Sequence, residues 1–300
     1  MMLKTVEVLI STYNGEKYIR DQIESVLDQV NVRVHITLRD DGSKDNTVNI
    51  IKKYYQNSGN LRIIEGKNVG VIESFYDLLF CSEEKDYYAF CDQDDVWDTD
   101  KLISAVNKIS DCSNKPAMYF SSKRIVDDNL NIINENDDYN GRKKTLLELF
   151  VGGNNCTGCT IVINKSYRDL LLRIIPTNIV MHDYWFNILI TAIKGNIYYD
   201  NIPHISYRQH ENNVIGKKMT VKKRIKYSGY IKANCRSGMA TQILNYYIDK
   251  LDNDTINLLK IISNYKHEKN GKMKLYHLLC LNCTLKKRII IFTQIVFGIY

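Results

Sequence analysis

Short β-rich runs alternate with helix-length segments through the first hundred residues, and this alternation restricts the fold more than any other feature. Residues 6–13 (VEVLISTY) read as a buried strand, and 16–29 follow with Ile19, Ile23, Val26 and Leu27 at helical spacing. Residues 32–38 read as a second strand, with Asp45 as the cap of a helix carrying Val48, Ile51 and Tyr55. A short third strand at 61–64 precedes Ile72, Phe75, Tyr76 and Leu79, which fall on one helical face. Residues 87–91 and 101–109 complete the series as strand and helix. Such repeats predict an α/β fold built from βαβ units, with a mostly parallel sheet flanked by helices. Ligands of such sheets bind beyond the carboxyl ends of the strands. Chemistry is therefore expected at residues 11–15, 39–43 and 92–97.

Beyond residue 110 the pattern loosens. Residues 127–144, dense in Asn and Asp, read as a loop, 157–163 as a strand, 183–194 as a helix and 197–207 as extended chain. From Gly216 onward the chain is basic and reads as helical, with Ile243, Leu244, Tyr247, Ile248 and Leu251 on one face. Residues 216–300 carry 17 Lys/Arg against 4 Asp/Glu, a balance of +13, which leaves 1–215 at −6. This asymmetry predicts two regions with different partners, an acidic body over 1–215 and a basic helical region after it. With 44% apolar and 25% charged residues the chain reads as globular, and a uniformly basic nucleic-acid binder is excluded. Mean hydropathy is −0.30, and no apolar run approaches the roughly 20 residues of a membrane span. The first residues enter a strand pattern at once, which leaves no room for a signal peptide, so the eight cysteines read as reduced cytosolic thiols.

Four clusters carry chemistry. Cys91-Asp92-Gln93-Asp94-Asp95-Val96-Trp97 places three carboxylates directly after an apolar strand. Their burial is costly without a cation, and an oxygen-only set suits Mg2+ or Mn2+. The same run also reads as an acidic turn capping the helix at Asp100. Arg39-Asp40-Asp41-Gly42-Ser43 offers a carboxylate to a pyrimidine imide or a ribose hydroxyl, or forms a plain β-turn. His182-Asp183-Tyr184-Trp185 opens a helix, where Asp serves as a cap or as a base. Tyr207-Arg208-Gln209-His210 supplies a guanidinium for a diphosphate and an imidazole for a metal, although a lone His is more often structural. There is no P-loop, no GxGxxG after a strand, no HExxH and no serine nucleophile elbow. The pairs Cys156/Cys159 and Cys280/Cys283 lie over 120 residues apart, which argues against zinc.

Taken in order, Ser11-Thr12-Tyr13-Asn14, Asp40-Asp41-Gly42-Ser43, Asn68-Val69-Gly70, Asp92-Gln93-Asp94-Asp95 and His182-Asp183 resemble the family 2 glycosyltransferases over roughly residues 5–211. The runs CDQDDVW, NNCTGCT, HDYW and YRQHENNVIG look like the bacterial rhamnosyltransferase branch of that family, which acts in capsule or O-antigen assembly. The resemblance implies the GT-A fold and an inverting, metal-dependent transfer from a nucleotide-diphosphate sugar to a saccharide or lipid-linked acceptor. It implies that 1–211 is the catalytic domain, that Ser11 and Tyr13 line the nucleotide pocket, and that Asp41, with Asp40, holds the base. Asp92 and Asp94 match the DXD motif: Asp92 would face the donor, Asp94, with Asp95 and His210, the metal, and Arg208 the diphosphate. Asp183 matches the catalytic base. Thr99 departs from the proline that relatives often carry. Lys286-Lys287-Arg288 ahead of the apolar run 289–300 suggests docking at the cytoplasmic face of the membrane. Two other classes remain open. A sugar nucleotidyltransferase would need a Gly-rich basic loop where residues 11–15 and Lys17 stand, and a non-catalytic carbohydrate-binding module would not need these carboxylates.

Overall fold

The expected strand and helix periods reappear in the computed structural model, which describes residues 3–112, 114–136, 143–210, 235–280 and 285–296. The elements in chain order are β1 (Thr5–Thr12), α1 (Ile19–Leu27), β2 (Arg33–Asp40), α2 (Thr47–Tyr55), β3 (Leu61–Glu65), α3 (Val71–Cys81), β4 (Tyr87–Cys91), β5 (Val96–Trp97) and α4 (Lys101–Ile109). Next come β6 (Ala117–Ser121), β7 (Arg124–Val126), β8 (Ile132–Asn134), α5 (Leu146–Gly152), β9 (Val162–Asn164), α6 (Lys165–Leu171), α7 (His182–Ala192), β10 (Asn196–Asp200) and β11 (Ile205–Arg208). Four helices follow: α8 (Cys235–Tyr247), α9 (Asn253–Asn264), α10 (Gly271–Cys280) and α11 (Leu285–Val296).

The chain divides into two compact units. The first comprises Met1–Lys143, Cys156–Leu172 and Asn196–Lys217. Its seven-stranded sheet runs β10-β6-β9-β4-β1-β2-β3, and β9 alone is antiparallel to its neighbours. Val6, Val8, Leu9 and Ile10 of β1 are all fully buried, as a central parallel strand covered on both faces requires. Ile19, Ile23 and Val26 of α1 and Leu102, Ala105, Val106 and Ile109 of α4 belong to the same apolar core. A smaller sheet, β5-β11-β7-β8, carries the segment that follows the acidic run.

Several expectations change in this unit. The stretch expected as a loop from 127 contains β8, paired antiparallel with β7 through a turn in which Asp127 Oδ1 accepts from Asn129 N and Asn131 N. Residues 157–163 are not one strand: a 3-10 turn at Gly158–Thr160 precedes β9. The extended run at 197–207 splits into β10 and β11, which serve different sheets, with Pro203 between them. Helix α2 starts after Asn46, and Asp45 accepts instead from Thr47 N and Glu16 N.

The second unit comprises Lys144–Asn155, Arg173–Gly195 and Lys218–Tyr300. This division differs from the 1–211/212–300 split that the resemblance implies, because two mid-chain segments group with the C-terminal helices. The physical links are specific. Tyr184 OH donates to the Leu149 carbonyl at 2.8 Å, Trp185 packs on Tyr247 at 6.3 Å between ring centroids, and Arg173 grips Asp249 at 2.7 Å. Of the helical stripe read around residue 245, Ile243 and Tyr247 are buried, whereas Ile248 is exposed at a 3-10 turn. The run 211–234, with seven of the 17 Lys/Arg counted from Gly216 onward, lies outside the described residues. Among the described residues no helix is long and apolar enough to cross a membrane.

Candidate active site

Parallel pairing levels the carboxyl ends of three strands in the first unit. Ile10 lies opposite Cys91, Ser11 opposite Arg39 and Thr12 opposite Asp40. Three loops therefore leave the sheet side by side, where the sequence places its acidic and hydroxyl side chains.

Gln93 ties two of them together. Thr12 Oγ1 and Tyr13 N donate to its Oε1 at 2.7 and 2.8 Å, and its Nε2 donates to the Tyr13 carbonyl at 3.1 Å. A Cβ at Gly15 would lie 2.5 Å from Gln93 Oε1, so this approach requires glycine. Tyr13 itself is 42% exposed, and Ser11 Oγ lies 2.8 Å from Ser74 Oγ.

Asp40 and Asp41 have separate tasks. Asp40 Oδ2 accepts from Gly42 N and Ser43 N, and its Oδ1 from Ser43 Oγ, so it shapes the turn as a β-turn aspartate does. Gly42 has φ +80°, and a Cβ there would lie 3.2 Å from Asn68 N. Asp41 is buried and accepts from Val69 N at 2.8 Å, Gly70 N at 2.9 Å and Arg39 Nη1 at 2.5 Å. The 40–43 turn and the 68–70 turn are thereby held as one edge.

The turn after β4 concentrates the negative charge. Asp92 and Asp94 are half-buried, and Asp95 is fully buried. Asp95 Oδ1 accepts from Arg208 N at 3.1 Å; Oδ2 has no N–H or O–H donor, and the neighbouring polar group is the Cys159 thiol. Ligand atoms of Asp92, Asp95 and Cys159 lie within 4.8 Å of one another. Burial, reinforced by Asp94 and Asp92, pushes the Asp95 carboxyl well above the carboxylate range, and burial likewise keeps Cys159 a neutral thiol. A buried carboxylate with only a weak thiol donor at this oxygen, beside two further carboxylates, fits a hard divalent cation, which would relieve the cost of holding Asp95 ionised. Close by, Lys101 Nζ is fully buried over the Trp97 ring, 3.7 Å from its centroid, without a hydrogen-bond partner among the described residues. Burial lowers its pKa to about 8 against the pull of Cys159, Cys91 and Asp95.

Arg208 and His210 close this turn from β11. His210 Nε2 lies 2.8 Å from Asp94 Oδ2, and its ring stacks on Tyr18 with centroids 4.9 Å apart. Arg208 is buried and donates from Nε to the Asp94 carbonyl at 2.9 Å and from Nη1 to the Asp128 carbonyl at 2.5 Å. The Asp128 carboxylate accepts from Lys17 Nζ and Tyr18 OH. Arg208 is thus turned onto backbone carbonyls in this structure.

Asp183 belongs to the second unit. It is half-buried in the first turn of α7, and its Oδ1 accepts from Tyr184 N at 2.6 Å. One turn on, Asn187 Nδ2 donates to Asn154 Oδ1 at 3.1 Å and Asn155 Oδ1 at 2.7 Å, which anchors the helix to the NNC segment. The neighbouring His182 is completely buried, and its pKa falls to about 3 through desolvation.

The fold thus gathers Ser11, Tyr13, Asp40, Asp41, Asp92, Asp94, Asp95, Arg208 and His210 within one unit and gives Asp183 its own scaffold. Sequence reasoning missed Tyr18, Lys101, Asp128 and the place of Cys159. Cys159 was weighed as half of a CxxC pair, and Lys101 as a helix residue; Tyr18 and Asp128 carried no local signal.

The profile of the family described as glycosyl transferase family 2 matches residues 7–171. The chain is 29% identical over 296 residues to the dTDP-rhamnosyl transferase RfbG of Shigella flexneri, covering 91% of this chain and 98% of that protein. It is 24% identical to an uncharacterised glycosyltransferase of Rickettsia typhi, covering 69% of this chain and 64% of the relative. Among solved structures, S. aureus TarS 1–349 in complex with UDP-GlcNAc superposes with a TM-score of 0.61 at 16% identity, over 99% of this chain and 82% of that one. The Pyrobaculum calidifontis mannosyltransferase PcManGT in complex with GDP-Man and Mn2+ gives 0.54 at 14%, over 100% and 82%. At these identities the likeness concerns the fold.

Proposed function

The chain belongs to glycosyl transferase family 2, and on that premise we propose that it moves rhamnose or another hexose from a nucleotide-diphosphate donor to a saccharide or lipid-linked acceptor, with inversion, in bacterial surface polysaccharide synthesis. The observation that carries this reading is the carboxylate turn 92–95 at the ends of β4 and β1, with a buried Asp95 carboxylate that has the Cys159 thiol beside it and no N–H or O–H donor on Oδ2. The similarity to a dTDP-rhamnosyl transferase along nearly the whole chain supports the rhamnose assignment. The family match also favours transfer over nucleotidyl transfer or a purely binding role.

In this reading Ser11, Tyr13, Asp40 and Asp41 frame the nucleotide pocket. Asp41 does so while fixing the backbone of the 68–70 turn and accepting from Arg39, which leaves one lone pair on Oδ2 for a base N–H. Asp92 faces the donor. Asp94 and Asp95, with His210, would hold Mg2+ or Mn2+. When bound, such an ion supplies Lewis-acid stabilisation of the charge that develops on the leaving nucleoside diphosphate. Gln93 keeps the carboxylate turn in register with the nucleotide loop, and Arg208 holds the turn's backbone. Asp183 takes the proton of the acceptor hydroxyl as the new glycosidic bond forms. A positioned base of this kind contributes about 10²–10⁴-fold. One displacement inverts the anomeric centre and needs no covalent sugar–enzyme intermediate. The cytoplasm, where activated sugars are made, is the proposed location, with a peripheral contact to the membrane.

The test is nucleoside-diphosphate release across a panel of activated sugars, with Mn2+, with Mg2+ and with EDTA. Release from dTDP-rhamnose above all others, lost in EDTA, is expected. Release of pyrophosphate from a nucleoside triphosphate instead would reassign the enzyme.

A further inference from the structure

The last helix of the second unit carries apolar side chains on two faces. Ile291 and Ile295 of α11 are 2% exposed and form its inner side. Ile289, Phe292 and Val296, spaced i, i+3 and i+7, are 57%, 52% and 43% exposed. A soluble helix normally covers its outer stripe with polar residues.

This stripe continues onto α10. Lys272 Nζ donates to the Val296 carbonyl, and the Tyr276 ring meets Phe292 edge-on at 5.7 Å, so the two helices run antiparallel along each other. Met273, one turn before Tyr276 and 60% exposed, therefore extends the patch beside Val296. The chemistry around it has one sign. From residue 266 to 288 the sequence holds seven Lys/Arg and a single acidic residue, Glu268. Lys272, Lys274 and Arg288 are exposed on the same two helices, Lys272 against Val296 and Lys274 3.4 Å from Glu268.

We infer that the exposed face formed by Met273, Ile289, Phe292 and Val296 with its basic surround is a docking surface for an anionic lipid bilayer. An apolar stripe bordered by lysines matches an interface in which acyl chains lie beneath negative headgroups. A second copy of the chain fits poorly, because a two-fold contact would bring the basic borders against each other. Nucleic acid would use the lysines but not the apolar stripe. The inference rests on the peripheral membrane contact proposed above and names its surface and lipid class; it does not depend on the transfer reaction, so either can fail alone.

The experiment is sedimentation of the full chain with phosphatidylcholine vesicles containing or lacking phosphatidylglycerol. The wild type should bind the anionic vesicles, more weakly as salt rises, and not the neutral ones. The double variant Ile289→Glu/Phe292→Glu should lose roughly tenfold or more in affinity. Lys272→Gln/Lys274→Gln should lose binding and salt dependence together. Both sets alter exposed side chains, and unchanged melting temperatures and donor hydrolysis would show that the fold and site persist. No binding to anionic vesicles, or undiminished binding by Ile289→Glu/Phe292→Glu, overturns the inference. So does a wild-type dimer in light scattering that this variant converts to monomer, which would identify the patch as a contact between copies.

Discussion

Two carboxylates with unlike surroundings divide the proposed chemistry. Asp183 stands half-buried at a helix start, whereas Asp95 is fully buried beside Asp92 and Asp94. A group that must accept a proton in turnover needs access, and a group that grips a cation benefits from being held away from water. Asp183→Asn is therefore expected to lower turnover by about 100-fold or more while donor affinity by calorimetry stays near wild type. Near-normal turnover would remove Asp183 from the base role. Gln93 has a different function, since its amide holds the nucleotide loop against the carboxylate turn through three hydrogen bonds. Gln93→Ala should raise the donor KM several-fold, by about 1–2 kcal/mol of lost positioning, with a smaller change in kcat. An unchanged KM would contradict that assignment.

Secondary-structure elements make these positions possible, and their anchors lie far from the chemistry. Asn164, at the junction of β9 and α6, accepts from Ala117 N and Tyr167 N and donates to the carbonyls of Cys112 and Lys115. It fastens the antiparallel strand β9 between β4 and β6. Asn164→Ala should cost roughly 2–4 kcal/mol in urea unfolding, because four backbone groups lose a partner, three of them in buried hydrogen bonds. In α7 the buried His182 sets a pH dependence. Its pKa is about 3 when folded against 6.5 for the free group, so below pH 6.5 the unfolded chain binds a proton that the folded chain does not. Its stabilising contribution is complete above about pH 6.5 and declines toward pH 3, by up to about 1.4 kcal/mol per pH unit. The stability gap between wild type and His182→Asn should accordingly narrow as pH falls through this window. Strands β1 to β4 and helices α1 to α4 were legible in the sequence because all but the half-buried β3 bury an apolar run or a helical stripe, whereas the two-residue β5 carried no such pattern. Strand β8 was not legible: its residues Ile132 and Ile133 are exposed, and the order comes from pairing with β7 and the Asp127 turn. The acidic turn announced itself, since three clustered carboxylates form a local signal. The roles of Cys159, Lys101 and Asp128 did not, since each meets the site only through contacts made in the folded chain.

At the scale of the molecule, charge and contact divide the chain differently. The sequence turns basic after residue 215, whereas packing assigns segments 144–155 and 173–195 to the unit of the C-terminal helices. The helix bearing Asp183 thus belongs with the region expected to meet an acceptor or a membrane, and the diphosphate chemistry belongs with the parallel sheet. Truncation after residue 211 should therefore do more than remove a basic tail. It strips Arg173 of its Asp249 partner and α7 of the Trp185–Tyr247 contact, and the shortened protein should melt at a clearly lower temperature, by several degrees. The central claim is that the carboxylates at the sheet's rim hold a cation beneath a departing nucleoside diphosphate. Its most direct test is a crystal structure with nucleoside diphosphate and Mn2+, using the metal's anomalous signal. The account predicts a Mn2+ peak beside Asp94, Asp95 and His210 with the phosphates against it, and a peak away from the 92–95 turn, or phosphates bound away from it, would contradict it.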